Sequence, residues 1–419
     1  MPAEQPRTGL TARLGALAEP GYRRFWIGSL AAVGGIQLVQ VGNGWLVIKE
    51  LGGSGTALGL VGAATAIPTI IINLFGGVFA DRLDRKKILL ATSAVAALLL
   101  AAQAVLDVTN TVRLWHVVAI AVGLGLVNGF DWPTRNAFFP QLIGREHMAS
   151  AVTLNTIMWQ GTRIVAPAIG GIAIAFTGTA TVFFMSAIGF TAMTFILLTL
   201  SAPPVPPRPK RSVAKDLGEG FSYIWRTPLF RVLIPFTYAN MFFGLQYITL
   251  MPLFADRFDV DSTRFGWMLS MMGIGAVAGT VAANRFQSGK WLGAAMLGGT
   301  FVFTLFLMGF AWSPAYGISL PLIFCASFFN AIFLVNSMTA MQLSVPDGLR
   351  GRVMGMHGIT FSLIPLGGLM GGAIADALDV RWAVFASAVV LSCIAAAVFL
   401  TQRHIRGLDG RRLRADRPA

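Results

Sequence analysis

Residues 76–90 read GGVFADRLDRKKILL, with Asp81, Arg82, Asp84, Arg85, Lys86 and Lys87 set between long apolar runs. The run before it, at about 56–80, and the run after it, at about 88–106, each approach the ~20 residues that a spanning helix needs. The charges therefore mark a turn between two membrane spans.

The composition fits that reading. The chain has 419 residues, 55% hydrophobic and 12% charged, with a mean hydropathy of +0.69, whereas soluble domains carry about 25% charged residues. It reads as an all-α polytopic membrane protein. The net charge of +14 reports orientation in such a chain, because cytoplasmic loops retain Lys and Arg, and nucleic acid is not an expected partner. Cys325 and Cys393 lie inside apolar runs and there are four histidines, so neither a disulfide framework nor a metal cluster is expected. The first 26 residues lack a compact apolar core with a small-residue cleavage site, and the first span is expected to anchor the chain itself.

Apolar runs predict about twelve spans, at 24–48, 56–80, 87–107, 113–136, 149–176, 179–200, 229–254, 263–284, 291–312, 317–341, 353–375 and 381–401. The segment SAPPVPPRPKRSVAKDLGEGFSYIWRTP separates the sixth from the seventh, with an amphipathic stretch near 217–225. The expected organisation is a cytoplasmic segment 1–22, a six-helix bundle 23–201, a cytoplasmic linker 202–227, a second bundle 228–402 and a basic tail 403–419. With the N-terminus inside, 25 of the 32 Lys and Arg fall in cytoplasmic segments. The outer loops hold only Lys49, Arg113, Arg257, Arg264 and Arg381, so both termini are expected in the cytoplasm of a plasma (inner) membrane protein.

The chain also repeats itself. GTVAANRFQSGK, beginning at Gly279, aligns with GGVFADRLDRKK beginning at Gly76, placing Asn284 on Asp81 and Arg285 on Arg82. Two six-helix halves in parallel repeat follow from this alignment.

Gly77, Ala80, Asp81, Arg82, Arg85 and Lys86 resemble the loop after the second helix of major facilitator superfamily (MFS) transporters. Asp84 stands where that motif usually has glycine, a DR.DR variant associated with the branch of drug, macrolide and enterobactin-type exporters. The resemblance implies an MFS fold in which this loop gates the cytoplasmic side. Asp81 ends a helix, where the dipole disfavours a carboxylate unless a cation compensates. In the fifth span, WQGTRIVAPAIGG carries Gly161, Ala166, Pro167, Gly170 and Gly171, which resemble the helix-five motif of MFS exporters. Small residues allow close helix approach and Pro167 permits a kink. Before the eleventh span, MQLSVPDGLRGRVMG resembles a loop of the same branch through Gln342, Pro346, Asp347, Arg350, Gly351 and Arg352.

Charges inside spans cost about 2.5–3.5 kcal/mol each on insertion scales, which singles out Asp131, Arg135 and Arg163. Asn128, Asp131 and Arg135 share a face of NGFDWPTRNAFFP. Asp131 is either a proton-coupling carboxylate or part of the cytoplasmic gate, paired with Arg135, Arg85 or Arg82; the neighbouring arginines favour the gate by holding the acid ionised. Arg163, near Trp159, either binds an anionic substrate group or is a structural arginine. Polar rows suggest a central cavity: Gln37, Gln40 and Asn43 in the first span, Asn240 and Tyr247 in the seventh, Asn330 and Ser337 in the tenth. The resemblance implies that these helices line the pathway; for any single residue, packing is the competing reading.

The expected function is secondary active transport by alternating access. Export of small amphipathic molecules, such as drugs or siderophore-like metabolites, is favoured, by proton antiport and with no bound cofactor. A facilitative or lipid-moving transporter, or an importer, is the alternative. An MFS-fold receptor or a membrane-embedded enzyme is disfavoured, because no nucleophile, metal or phosphate-binding motif is present. The expected partners are the small-molecule substrate and the lipid bilayer, with the chain acting as a monomer.

Overall fold

The computed structural model describes residues 15–80, 84–201, 213–287, 289–346 and 359–415. The described residues are helical and contain no strand. Eleven of their helices are long and apolar enough to cross a membrane.

The helices, in chain order, are α1 (Pro20–Trp45), α2 (Gly55–Ala80), α3 (Arg85–Val108), α4 (Leu114–Phe138), α5 (Met148–Thr177) and α6 (Thr179–Thr199), then α7 (Val213–Arg226), α8 (Pro228–Ala239) and α9 (Tyr247–Arg257). They continue as α10 (Ser262–Gln287), α11 (Leu292–Ala311), α12 (Tyr316–Ser344), α13 (Leu363–Ala377) and α14 (Val380–Thr401). The six spans expected before the linker are all present. The expected span at 229–254 is not one continuous helix. It is α8 and α9 joined through a π-turn at Asn240–Gly244, where the Leu245 N–H reaches back five residues to the Asn240 carbonyl. Pro235 in α8 and Pro252 in α9 each remove a further backbone donor from that span.

The chain divides into two compact units, residues 1–43 with 68–209 and residues 44–67 with 210–419. In the first unit, Phe25, Leu89, Leu100, Phe138, Phe190, Met193 and Leu197 meet in one buried cluster. Glycine allows α1 and α6 to approach backbone to backbone: a Cβ at Gly189 would lie 2.6 Å from the Ala31 carbonyl, and one at Gly35 3.1 Å from the Ser186 Cα. In the second unit, the rings of Phe254 and Phe310 pack tilted at 40° with centroids 4.4 Å apart, and Phe303 and Tyr247 are fully buried nearby in sequence. Gly275 and Gly279 of α10 lie against the Phe324 and Phe328 carbonyls of α12.

Large apolar side chains point outward as well. Phe176 is 83% exposed, and Leu98 and Leu400 are 71% exposed. Water would penalise such surfaces, whereas hydrocarbon does not, so outward apolarity and inward small residues are the pattern of a protein whose solvent is lipid.

Candidate functional site: a buried charge network and two polar clusters

In the first unit the intramembrane charges come together. Asp131 and Arg135 sit one turn apart on α4, both more than 90% buried. The Arg135 Nε donates to Asp131 Oδ2 at 2.9 Å and Nη2 donates to Oδ1 at 3.1 Å. The third guanidinium contact runs from Nη1 to Ser29 Oγ on α1 at 2.9 Å, and Thr92 Oγ1 of α3 donates to Asp131 Oδ1 at 3.1 Å. Phe25 presents its ring 6.0 Å from the guanidinium. Three helices are thus tied through one ion pair whose donors and acceptors are mutually used. Of the partners expected for Asp131, the structure shows Arg135.

Arg85 is used otherwise. Its Nη1 donates to the Ala137 carbonyl at 2.9 Å, at the end of α4. Lys86 Nζ donates to the Leu200 carbonyl at 2.6 Å, at the end of α6. Both cations therefore satisfy carbonyls that helix termini leave without partners, where the dipole also favours positive charge. Asp84 caps its own helix by accepting from the Lys86 N–H at 2.9 Å. Gly77 lies in the last turns of α2. Asp81 and Arg82 lie outside the described residues, as do Asp347, Arg350 and Arg352 of the second-half loop; Gln342 is exposed near the end of α12.

The fifth-span motif forms one face of α5. Ala166, Pro167, Gly170 and Gly171 are buried, and Gly170 faces Leu38 and Val41 of α1, with 3.0 Å between a Cβ there and Leu38 Cδ2. Gly161 has open space where a Cβ would stand. Arg163 is half-buried in the middle of this helix. Trp159 packs edge-on against Trp132 of α4 at 4.7 Å. In α1, Gln37 and Asn43 are half-buried and Gln40 is exposed; Asn43 Oδ1 accepts from Gln103 Nε2 at 2.6 Å.

The polar rows of the second unit face one another and are buried. Asn330 Nδ2 donates to Asn240 Oδ1 at 3.0 Å, within the π-turn of the seventh span. Tyr247 and Ser327 hydroxyls lie 3.1 Å apart, and those of Thr237 and Ser337 3.2 Å apart. The second amide group of Asn240 and both amide atoms of Asn336 have no hydrogen-bond partner. Buried polar atoms without partners are rare, and π-turns concentrate at functional positions.

Sequence reasoning missed Ser29, Thr92, Gln103 and Asn336, which are ordinary polar residues until their neighbours are known. It also missed Asp107 and Asp376. Asp107 is the last residue of the span expected at 87–107 and Asp376 the first beyond the span expected at 353–375; Asp107 is buried and accepts from Thr179 Oγ1 at 2.6 Å. The signal was present as a carboxylate within one or two residues of an apolar run.

Helical bundles with lipid-facing apolar surfaces, a buried ion pair and buried polar rows are what the major facilitator resemblance implies. The solved structures the chain resembles agree on the fold: a bacterial homologue of the human lysosomal transporter Spinster, in an inward-facing and unoccupied conformation, superposes with a TM-score of 0.73 at 15% identity, over 98% of this chain and 100% of that one. The nucleoside transporter NupG matches with a TM-score of 0.72 at 16% identity, over 91% and 98% of the two chains. The chain belongs to the transmembrane secretion effector family, whose model matches residues 11–415. Among its relatives are the multidrug efflux pump Tap of Mycolicibacterium fortuitum, 26% identical over 397 residues covering 91% of this chain and 95% of that protein, and the enterobactin exporter EntS of Escherichia coli strain HS, 24% identical over 369 residues covering 84% of each. It is a multi-pass membrane transporter of small molecules and not an enzyme.

Proposed function

We propose that this transporter is a secondary active exporter of small amphipathic molecules, of the drug or siderophore-like kind, working by alternating access and driven by proton antiport. The observation that carries the direction is that relatives named for efflux and for export each align over more than four-fifths of the chain. The geometry is compatible with it. Intramembrane charges are compensated within the first unit by the Asp131–Arg135 pair, and the second unit concentrates neutral polar groups and aromatic side chains that suit amphipathic rather than highly charged cargo. The protein acts as a monomer in the plasma membrane with both termini in the cytoplasm, an orientation supported by the distribution of Lys and Arg.

A facilitative or lipid-moving mode is the second reading. It is favoured by the engagement of both Asp131 carboxylate oxygens with Arg135, which commits that acid to an ion pair within the first unit. The deciding experiment is accumulation of a fluorescent amphipathic dye in energised inverted vesicles, before and after the proton gradient is collapsed. Uptake that requires both the protein and the gradient supports export driven by protons. Uptake that persists without the gradient supports the facilitative mode.

A further inference from the structure

The arginine-rich end of the chain is built into the second unit. Beyond α14, residues 402–415 carry five arginines against one aspartate, and they form two short helices, α15 (Arg403–Arg406) and α16 (Gly410–Ala415). The turn that opens α11 receives them through reciprocal backbone bonds. The Gly293 N–H donates to the Leu408 carbonyl at 3.2 Å, and the Gly410 N–H donates to the Gly289 carbonyl at 3.1 Å. Ile405 is fully buried. Glycine is required at 293, because a Cβ there would collide with the Ile405 carbonyl oxygen. Asp409 is engaged locally, accepting from the Arg411 N–H at 2.8 Å. A basic terminus that served only to fix orientation would need none of these contacts.

The docking sets cations at a lipid boundary. Helices α11 and α14 are both long and apolar enough to span, and the docked segment meets them where α14 ends and α11 begins. Phe399 and Leu400, at the end of α14, are 39% and 71% exposed, the outward apolarity of a turn that faces hydrocarbon. Arg406 folds back over that turn, with its guanidinium 5.1 Å from the centre of the Phe399 ring and Nη1 donating to the Phe399 carbonyl at 3.4 Å. Arg403 is exposed one turn away. At the start of α11, Trp291 is 60% exposed and Lys290 Nζ lies 5.3 Å from its ring centre. Tryptophan at the end of a span sits at the level of the headgroups, and long basic side chains there lay their stems on apolar surface and hold their charges at the interface. Among the described residues no carboxylate pairs with Lys290, Arg403 or Arg406.

We propose that this junction binds the headgroup of an anionic glycerophospholipid, its phosphate taken by Arg403 and Arg406, with Lys290 and Trp291 at the same helix ends and its acyl chains along Phe399 and Leu400. Guanidinium groups match phosphate oxygens in a planar, two-point geometry, and the apolar turn beside them selects an anion that carries hydrocarbon. The docked backbone holds the two arginines in place before the lipid arrives, which removes part of the ordering cost of binding. The inference goes beyond the transport reading, since it needs α11 and α14 to span a bilayer and needs neither a cargo nor a direction.

The test titrates the full chain, purified in a neutral detergent, with phosphatidylglycerol and with phosphatidylcholine, and counts retained lipid by native mass spectrometry. Phosphatidylglycerol is expected to bind the more tightly. Arg403→Gln with Arg406→Gln should weaken the tightest phosphatidylglycerol about tenfold, because each basic residue near an anionic surface contributes several-fold. Arg23→Gln with Arg24→Gln removes the same charge from exposed positions on α1 and should leave that binding unchanged. Gly293→Ala keeps every charge but displaces the Ile405 backbone, and should weaken binding in the same direction as the arginine pair. Glycerol phosphate, the head without the chains, should not displace the lipid at equal concentration. No preference over phosphatidylcholine, equal losses in the two double variants, or full affinity in Gly293→Ala would each overturn the site. Displacement by glycerol phosphate at equal concentration would make it a site for soluble phosphate and overturn the lipid as its occupant.

Discussion

Arg135 grips Asp131 at two points, Nε to Oδ2 at 2.9 Å and Nη2 to Oδ1 at 3.1 Å, inside a span where both side chains are almost fully buried. Breaking a buried pair from one side strands the other charge, at about 3–5 kcal/mol. Arg135→Ala is therefore expected to lower the thermal midpoint of the purified protein sharply. Adding Asp131→Asn to Arg135→Gln should recover most of that loss, because no charge is then left alone. A double-mutant cycle on the midpoints measures the coupling.

Arg85 and Lys86 act on helix ends rather than on the buried acid. Replacing either by Met should cost only about 0.5–1.5 kcal/mol, the usual net worth of one hydrogen bond. Denaturation of each variant checks this, and a loss as large as that for Arg135→Ala would contradict the capping role.

Asn330 and Asn240 satisfy each other across two spans. Asn330→Ala should cost about 1–3 kcal/mol, because Asn240 is fully buried and is left with neither amide atom bonded. Replacing both with Leu should restore stability. If the pair meets cargo, the doubly substituted protein will be stable and yet altered in dye transport, so stability and flux measured on one preparation separate packing from function.

Asp379 lies between spans, where Arg381 donates to it from its backbone N–H at 2.8 Å and from Nε at 3.0 Å. Those bonds hold its carboxyl below the usual carboxylate range. Burial, together with the same arginine, holds the Arg257 guanidinium below its ordinary value, against the opposing pull of Asp379. A depressed acid contributes stability that is complete above its unfolded pKa of about 3.9 and is lost as pH falls through its folded value. Asp379→Asn should therefore cost under about 1 kcal/mol at pH 7, as for exposed pairs. The difference from the parent should be constant above about pH 5 and begin to close as pH falls below about 4, which thermal midpoints across pH 3–7 will show.

Arg163 carries a charge at mid-span on α5, close to Trp159. If it meets cargo, Arg163→Ala should weaken transport of anionic dyes several-fold more than that of neutral or cationic ones, because a cation within the span discriminates by charge. Equal losses for all three would assign it to packing. Competition assays in inverted vesicles provide the comparison.

Much of this was readable from the chain because the relevant physics is local. A run of about 20 apolar residues is a span whatever surrounds it, so α1 to α6 and α10 to α12 fell where hydropathy put them. The pairing of Asp131 with Arg135 was also within reach, since residues four apart share a helical face. The seventh span was the departure. Its composition is apolar throughout, but Pro235, Pro252 and the Asn240–Gly244 π-turn break its hydrogen-bond ladder, which hydropathy does not register.

By itself, then, the sequence determined the all-α polytopic class, the place of most spans and the family resemblance, all of which depend on spacing along one chain. Only the tertiary structure decided which of several arginines Asp131 takes, that Arg85 and Lys86 serve helix ends, and that Asp376 closes on Gly55 and Thr56. A carboxylate in a low-dielectric interior must find a donor, but its choice depends on which backbones approach within about 3 Å. That distance is set by helices packing against one another, with glycines of α2 lying on α13 three hundred residues away.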